Sequence, residues 1–312
     1  MTTGVSTLIE TETARFAGHI PPSVRAFAVR LGERAEGGAL GVIFYGSALR
    51  TADLEGLLDF YVVVGHLRDW GLGPLLRTAN GLLPPHVEYV EETCEGHVLR
   101  AKVAVMEAAQ FAALVRPGSL NTTIWARFSQ PVALIWSRDE EARQRLTLLL
   151  AQAVTSAAGW AYALGPVTGA ARDFWRNLYG HTYRAELRVE RHASRASDIV
   201  EAGGERYERL LVAAWDDLGL PFGWTDEGLM TKTGVAPAAF SGWSLRQALG
   251  KPLNIARLVK AAFTFENGAA YLAWKIERHS GVRLGLSPWQ KRHPVLAGPV
   301  ILWRLWRNGT VR

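Results

Sequence analysis

The stretch "FYGSALRTADLEGLLDFYVVV" (residues 44–64) combines an apolar strand, a Gly-Ser turn and a second strand that begins beside an acid. Gly46 and Ser47 form the turn, and Asp59 opens the second strand. That second strand is continuously apolar, which predicts a central position in a sheet with both faces covered. Because an unpaired carboxylate is costly to bury there, Asp59 needs a partner.

This order of features is typical of a nucleotidyltransferase active site. Backbone N–H groups and the serine hydroxyl of such a turn bind triphosphate oxygens, and an acid on the next strand binds Mg²⁺. Two acids usually alternate along that strand so that both face the same side, but Tyr61 stands at the second position. The stretch is also compatible with a simple glycine turn followed by a structural aspartate, and both interpretations stay open.

Composition indicates a globular protein of a size that accommodates two domains. The chain has 312 residues, of which 48% are hydrophobic and 21% charged. Its single cysteine, Cys94, excludes a disulfide framework or a multi-cysteine metal site and suits a reducing compartment. The first twenty residues lack a basic region followed by an apolar one, so we expect no signal peptide.

Charge is distributed unevenly along the chain. Residues 246–312 contain twelve Lys or Arg and two acids, whereas the whole chain carries a net charge of only +6. A basic region of this kind predicts a polyanionic partner, either a membrane surface or a nucleic acid. Because the region is also rich in Trp, Ile, Leu and Val, we expect an anionic membrane surface and no nucleic acid.

Hydrophobic patterning predicts an α+β fold. We expect helices within 7–36 and further strands at 87–92, 98–106 and 129–137. A long helix is expected over 139–164. Its apolar run, 146–167, is nearly long enough to span a membrane, but polar residues interrupt it and favour a buried core helix. A basic helix is expected over about 253–279.

Three domains follow from these patterns. Residues 1–140 form a nucleotidyltransferase-like mixed sheet with helices, and residues 141–245 form a mainly helical second domain that contributes to the active site. Residues 246–312 form a basic, Trp-containing C-terminal helical segment. The loop-rich stretch 216–250 marks the boundary before this segment.

An ordered set of motifs resembles the mitochondrial-type phosphatidate cytidylyltransferases, the Tam family, in a bacterial-like form. "YGSALR…LLDFYVVV" is similar to that family's first motif, which also lacks the second acid. Over about 40–278, four further motifs follow in the same order: "AKVAV", "WARFSQPVALIW", "LYGHTYRAELRVE" and "LVKAAFTFENGAAYLAWKIER". The residues that fit the family pattern there are Lys102, Arg127, Pro131, Val132, Gly180, Tyr183, Arg188, Lys260, Phe263, Tyr271 and Lys275.

The chain also departs from the family pattern. Glu186 stands where the family has Asp, which changes the reach of the carboxylate by one methylene. The Trp-His and Asn-rich stretch is shortened, and the Gln-Ser tract before Lys260 is absent, so the resemblance is weakest for lipid-headgroup contacts.

The resemblance implies transfer of CMP from CTP to phosphatidate, giving CDP-diacylglycerol and pyrophosphate. In that case Gly46 and Ser47 hold the β- and γ-phosphates, while Asp59 binds Mg²⁺ with Glu186 as second ligand. Lys102 and Arg188 neutralise phosphate charge, and Lys260 meets the phosphatidate headgroup. The implied location is cytoplasmic, peripheral on the inner face of the cell membrane.

Two other functions are compatible with the same residues. One is a nucleotidyltransferase with a different acceptor, RNA or a small molecule. The other is a degenerate, non-catalytic nucleotide-binding module that lost its second acid at Tyr61.

Overall fold

The computed structural model describes residues 4–51, 55–186, 192–231 and 238–269, together with isolated positions between 271 and 290. It shows an α+β protein with a five-stranded mixed sheet and many helices. The sheet strands are β1 (Ala39–Tyr45), β2 (Leu57–Val64), β3 (His86–Cys94), β4 (His97–Glu107) and β5 (Val132–Ser137). A small second sheet contains β6 (Thr168–Gly169), β7 (Phe222–Thr225) and β8 (Gly228–Thr231).

Helices surround the main sheet and form most of the second half of the described chain. They are α1 (Gly4–Gly18), α2 (Pro22–Glu33), α3 (Ser47–Thr51), α4 (Pro74–Leu82), α5 (Ala108–Leu114), α6 (Thr122–Phe128), α7 (Glu140–Leu164), α8 (Ala171–Ala185), α9 (His192–Gly203), α10 (Arg206–Asp217) and α11 (Trp243–Thr264). The helices expected within 7–36 are present, and α1 and α2 are separated at Pro21, which precedes α2, while Pro22 starts it.

The strand order of the main sheet is β3-β4-β2-β1-β5. The β2 and β4 strands run parallel, whereas the other neighbouring pairs are antiparallel. The expected central position of the second strand is confirmed, because β2 lies between β1 and β4 and its last five residues are buried. Alternate residues of β2 join two separate hydrophobic clusters, Tyr61 and Val63 on one face and Phe60, Val62 and Val64 on the other.

The cluster on the Tyr61 face continues into the helical half of the chain. It includes buried residues from Val5 to Phe240 and therefore crosses the expected domain boundary at residue 140. The α7 helix forms its centre, with Leu146, Val154 and Trp160 fully buried. Among the described residues, α7 is the one helix apolar and long enough for a membrane span, and 72% of its most apolar window is buried inside the protein. This burial agrees with the expected core helix.

The chain's first described helix depends on a residue far along the sequence. The backbone N–H groups of Gly4 and Val5 donate to the two carboxylate oxygens of Asp217, at 3.1 and 3.0 Å. Asp217 ends α10, and α1 packs between α10, α7 and β5. The carboxylate thus satisfies donors that the first turn of a helix leaves without an intrahelical partner.

The expected basic helix over 253–279 differs from the observed α11, which covers 243–264. It starts earlier because Arg246 is buried and donates to the carbonyls of Pro117 and Ser119 at 2.9 and 3.0 Å, which fixes the first turn. It ends at Thr264 because Glu266 pairs with β3, where its carbonyl accepts from the Tyr89 N–H at 3.0 Å. The loop-rich stretch 216–250 therefore contains the β7–β8 hairpin and the start of α11.

Candidate functional site

Strand register brings the first predicted site residues into one row across the sheet. Tyr45 on β1 is the partner of Asp59 on β2, and Asp59 is in turn the partner of Lys102 on β4. Directly opposed residues point to the same face of a sheet, and neighbouring strands are about 4.8 Å apart. Asp59 and Lys102 are therefore neighbouring side chains on the face that also carries Tyr61.

Gly46 closes against the carboxylate of Asp59. Its φ of +93° lies in the left-handed region, and a Cβ at this position would lie 2.8 Å from Asp59 Oδ2. Both facts require glycine here, because a side chain would meet strain in the backbone and collide with the acid. Ser47 follows as the first, exposed residue of α3. The structure thus places the Gly-Ser turn beside Asp59, while the roles assigned to these residues stay predictions.

Two cations face the buried carboxylate of Asp59. Burial raises the pKa of Asp59 above its ordinary value, and the charges of Lys102 and Arg127 oppose that rise. A carboxylate in this position gains stability from any further positive charge nearby. Asp59 is therefore suited to binding a cation or to orienting the two basic side chains.

Tyr61 occupies the place where a second acid would stand and supports an arginine. The Tyr61 side chain is 1% exposed, and its hydroxyl accepts from Arg127 Nη1 at 3.4 Å. The Arg127 guanidinium also lies 5.2 Å from the centre of the Tyr45 ring, a cation–π contact. The position of the missing carboxylate is thus taken by a phenol that holds a positive charge.

An open cleft of about 200 Å³ lies above this face of the sheet. Two helices and one loop provide most of its walls. On α11 the lining residues follow the i, i+3, i+4, i+7 spacing of one helical face. The residues that line the cleft are Tyr45, Tyr61, Pro84, Pro85, Val87, Lys102, Ala104, Asn121, Thr123, Ile124, Arg127, Asn254, Arg257, Leu258, Lys260 and Ala261. Four of them are basic and none is acidic.

Arg257 brings a second guanidinium into the cleft. Its Nη1 donates to Asn121 Oδ1 at 3.2 Å, while its buried Nε has no hydrogen-bond partner. Burial lowers the pKa of Arg257, and the like charge of Arg127 also lowers it. Two guanidinium groups that repel each other and an unused donor indicate a site for an anion.

Lys260 lies in the same cleft, but its ammonium group is engaged by the protein. It donates to Asn80 Oδ1 at 2.7 Å and to the carbonyls of Leu83 and Pro85 at 2.8 and 2.5 Å. An ammonium group has three donors, and all three are used here. Burial and the neighbouring Arg257 lower the pKa of Lys260 to about 8. In this arrangement Lys260 connects α11 to α4 and the following loop.

Glu186 follows α8 and contacts the N-terminal turn of α6. Its Oε1 accepts from the hydroxyls of Thr122 and Thr123 at 2.9 and 3.0 Å, and the residue is 5% exposed. Arg127 is within electrostatic range of both Glu186 and Asp59. The structure therefore links the two predicted metal ligands through a cation and does not show them sharing a site. Arg188, which was predicted to neutralise phosphate charge, lies outside the described residues.

A different group of potential metal ligands lies at the edge strand β3. His86, Glu88 and Glu266 offer ligand atoms within 4.8 Å of one another. Lys260 fixes the orientation of the Asn80 amide, whose nitrogen lies 3.4 Å from His86 Nδ1 and donates to it. Nδ1 is then the acceptor nitrogen and the proton of the neutral ring lies on Nε2, toward Glu88, which also forms a bidentate ion pair with Arg34. Nε2 itself is buried without a hydrogen-bond partner among the described residues, 3.9 Å from Glu88 Oε2, and the Arg34 ion pair already occupies both oxygens of Glu88.

Of the predicted site residues, Lys102 and Lys260 line the cleft, and sequence reasoning missed much of the rest of its lining. Arg127 matched a family motif without receiving a role, and Arg257 and Asn121 were not singled out. The available signal was the pair Arg257 and Lys260, three residues apart on a helix whose sequence contains no acid. Neither a comparison with protein-family models nor one with curated proteins gives a match for this chain.

Proposed function

We propose that this protein is a CTP:phosphatidate cytidylyltransferase that makes CDP-diacylglycerol and pyrophosphate at a membrane surface. The observation that carries the proposal is the cleft: four basic side chains line one opening, and Asp59 is the strand neighbour of one of them, Lys102. Such a site is suited to a substrate with several phosphate groups. CTP and phosphatidate as the substrates rest on the resemblance to the Tam family.

The path of the chain supports a nucleotidyltransferase-like fold. The Gly46-Ser47 turn lies between β1 and α3, and the acid stands near the start of the next strand, which is central in a mixed sheet. The cleft volume is below the roughly 300–1,000 Å³ of pockets for drug-sized ligands. Phosphate groups therefore fit inside, with the cytosine base and the acyl chains outside.

Mg²⁺ fits this site with Asp59 as its protein ligand. Mg²⁺ is commonly bound by one or two carboxylates together with substrate phosphates and water, so a single acid is sufficient. An ion held by Asp59 would supply positive charge that neutralises the substrate phosphates. Glu186 as a second ligand stays a prediction, since its Oε1 already accepts two threonine hydroxyls.

The chain's own residues account for most of the chemistry. A phosphate oxygen of phosphatidate attacks the α-phosphorus of CTP, the bond to the β-phosphate oxygen breaks, and pyrophosphate leaves with the bonding electrons. The attacking oxygen is already anionic at neutral pH, so no general base is needed. Lys102, Arg127 and Arg257 stabilise the charge that develops on the phosphates, and Tyr61 fixes Arg127.

The predicted roles of the remaining residues are adjusted to the contacts. Ser47 and Gly46 bind the β- and γ-phosphates beside Asp59. Lys260 positions the α11 wall, and Arg257 takes the place beside the phosphatidate phosphate. Arg188 remains a predicted phosphate ligand outside the described residues. The protein acts in the cytoplasm on the inner face of the cell membrane, through its basic C-terminal segment and without nucleic acid.

A second candidate is a non-catalytic nucleotide-binding module. The pairing of Tyr61 with Arg127, where a second acid would stand, is the observation that favours it. A transferase with another acceptor, such as RNA or a small molecule, would use the same cleft.

The test measures turnover of radiolabelled CTP with phosphatidate in detergent micelles containing Mg²⁺. We expect the wild type to form CDP-diacylglycerol and Asp59→Asn to lose at least about 100-fold of that activity. Asp226→Asn, which changes an exposed acid in the β7–β8 turn, is the matched control and should be fully active. Mg²⁺-dependent CTP binding without any product would reject phosphatidate as the acceptor. Binding that is indifferent to Mg²⁺ would favour the non-catalytic module.

A further inference from the structure

The charged residues of α11 face the protein. Arg246 is 5% exposed and donates to backbone carbonyls, Arg257 contacts Asn121, and Lys260 contacts the α4 region. Only Lys251 among the four basic residues of this helix is exposed. The polar side of α11 therefore makes internal contacts and forms part of the wall of the cleft.

The opposite side of α11 is apolar and exposed. Leu245, Leu249, Ile255, Val259 and Phe263 are 52%, 39%, 50%, 55% and 74% exposed. At 3.6 residues per turn, these five positions lie together on one side of the 22-residue helix. A surface helix normally shows the reverse pattern, with its apolar side toward the core. This arrangement requires a partner for the outward side.

The α4 helix carries two further exposed leucines. Leu75 and Leu82 are 83% and 77% exposed, on the side of α4 away from Asn80. Asn80 is the residue that joins α4 to α11 through Lys260. We call the exposed apolar side chains on α11, Ile255, Val259 and Phe263, the outer face.

Leu258 connects the outer face to the cleft. It is 59% exposed and also lines the cleft beside Arg257. A lipid whose acyl chains lie against the outer face can therefore present its phosphate to a guanidinium at the neighbouring opening.

We propose that the outer face docks onto a lipid bilayer and aligns the cleft with the headgroup layer. This inference rests on the proposed function for the identity of the lipid substrate. Two observations favour a bilayer over a second copy of the chain. The helix contains no acid that an anionic surface would repel, and the apolar surface continues into a cleft suited to phosphate.

The geometry distinguishes this docking from electrostatic adsorption. Because three of the four basic side chains of α11 face inward, the contact made by the outer face is apolar and should persist at high ionic strength. The basic segment 270–312 would contribute a separate, salt-sensitive attraction. The two contributions can be separated by salt and by substitution.

The experiment measures flotation of the full chain with vesicles of phosphatidylcholine and phosphatidylglycerol at about 0.1 and 0.5 M NaCl. We expect wild-type binding to persist at the higher salt, and Val259→Ser/Phe263→Ser to lose at least about tenfold of that salt-resistant binding. Leu148→Ser is the matched control, because Leu148 is 52% exposed on the unrelated helix α7. The free energy of urea unfolding should be equal within about 0.5 kcal/mol in all three proteins, which verifies folding without reference to CTP.

Equal salt-resistant flotation of the double variant and the wild type would overturn the proposal. It would also be overturned if the double substitution converted a dimer to a monomer without changing flotation, since a second copy would then cover the outer face. Loss of flotation in a protein that forms no CDP-diacylglycerol would retain the docking surface and reject the proposed reaction. The two proposals therefore fail independently.

Discussion

Two separate features of the structure require glycine at position 46. Its positive φ favours glycine by itself, and the nearby Asp59 Oδ2 excludes a Cβ. Gly71 has a similar φ of +77°, but a Cβ there would meet no atom within 4 Å. The pair therefore separates the cost of backbone strain from the cost of displacing the acid.

Gly46→Ala and Gly71→Ala should each lower the free energy of unfolding by about 1–2 kcal/mol, because both place Ala in the left-handed region. Only Gly46→Ala should also lose cytidylyltransferase activity, by about 100-fold, since its new methyl group displaces the Asp59 carboxylate. Urea unfolding and CTP turnover measure the two effects. Equal activity of the two variants would show that the position of Asp59 is not critical.

At the scale of elements, Lys260 holds α11 to α4 and the loop after it, and within the described part of the chain it pairs with no carboxylate. Lys260 donates to three neutral oxygens from α4 and the loop after it. Hydrogen bonds from a charged donor contribute about 1.5–3 kcal/mol each, against the cost of burying the charge. The position of Arg257, one turn earlier on the same helix, depends on this contact.

Lys260→Met should lower the free energy of unfolding by about 2 kcal/mol, because it leaves three buried oxygens without their donor. Lys251→Met changes an exposed lysine on the same helix and should have an effect within about 0.5 kcal/mol. Chemical denaturation compares the two variants. If both variants are equally stable, Lys260 does not hold the α11 wall, and its predicted contact with the phosphatidate headgroup becomes the better explanation.

Local patterns predicted the elements that local chemistry determines. The apolar run ending at Val64 identified β2, and the sequence paired Gly46 with Asp59, which lie side by side in the structure. The start of α11 was not predictable, because the contacts of buried Arg246, which lies before the expected start at residue 253, form only in the folded chain. Arg257 and Asn121 are 136 residues apart in the sequence and come into contact only in the folded chain, so no spacing in the sequence predicts this contact.

At the scale of the whole molecule, the edge strand β3 carries a buried histidine inside a charged network. His86 is fully buried, and the groups that face it are Asn80, Glu88, Glu266, Lys260 and Arg34. Burial lowers the pKa of His86 to about 4, and the charges of Lys260 and Arg34 contribute. The neutral ring is therefore part of the folded state at neutral pH.

Acidification should destabilise the protein through His86. The unfolded chain binds a proton at this histidine below about pH 6.5, whereas the folded chain does so only near pH 4. Stability from this group is present above pH 6.5 and is lost as the pH falls toward 4, by about 3 kcal/mol.

His86→Gln should remove most of that pH dependence in urea unfolding between about pH 7 and pH 4.5. His97→Gln, at an exposed histidine beside the β3–β4 turn, should retain it. The titration of Glu88 contributes to the pH dependence of unfolding in both variants, so it does not account for a difference between them. Parallel pH profiles for the wild type and His86→Gln would contradict the assignment.

The Asp217 carboxylate that holds the first turn of α1 has a consequence for the order of synthesis. The α1 helix leaves the ribosome before its packing partners in β5, α7 and α10, and the acid at residue 217 follows more than 200 residues later. At about 5–20 residues per second, more than 200 residues of chain require roughly 10–40 s. During that interval the apolar side of α1, with Val5 and Ile9, remains uncovered on the nascent chain and is available to chaperones.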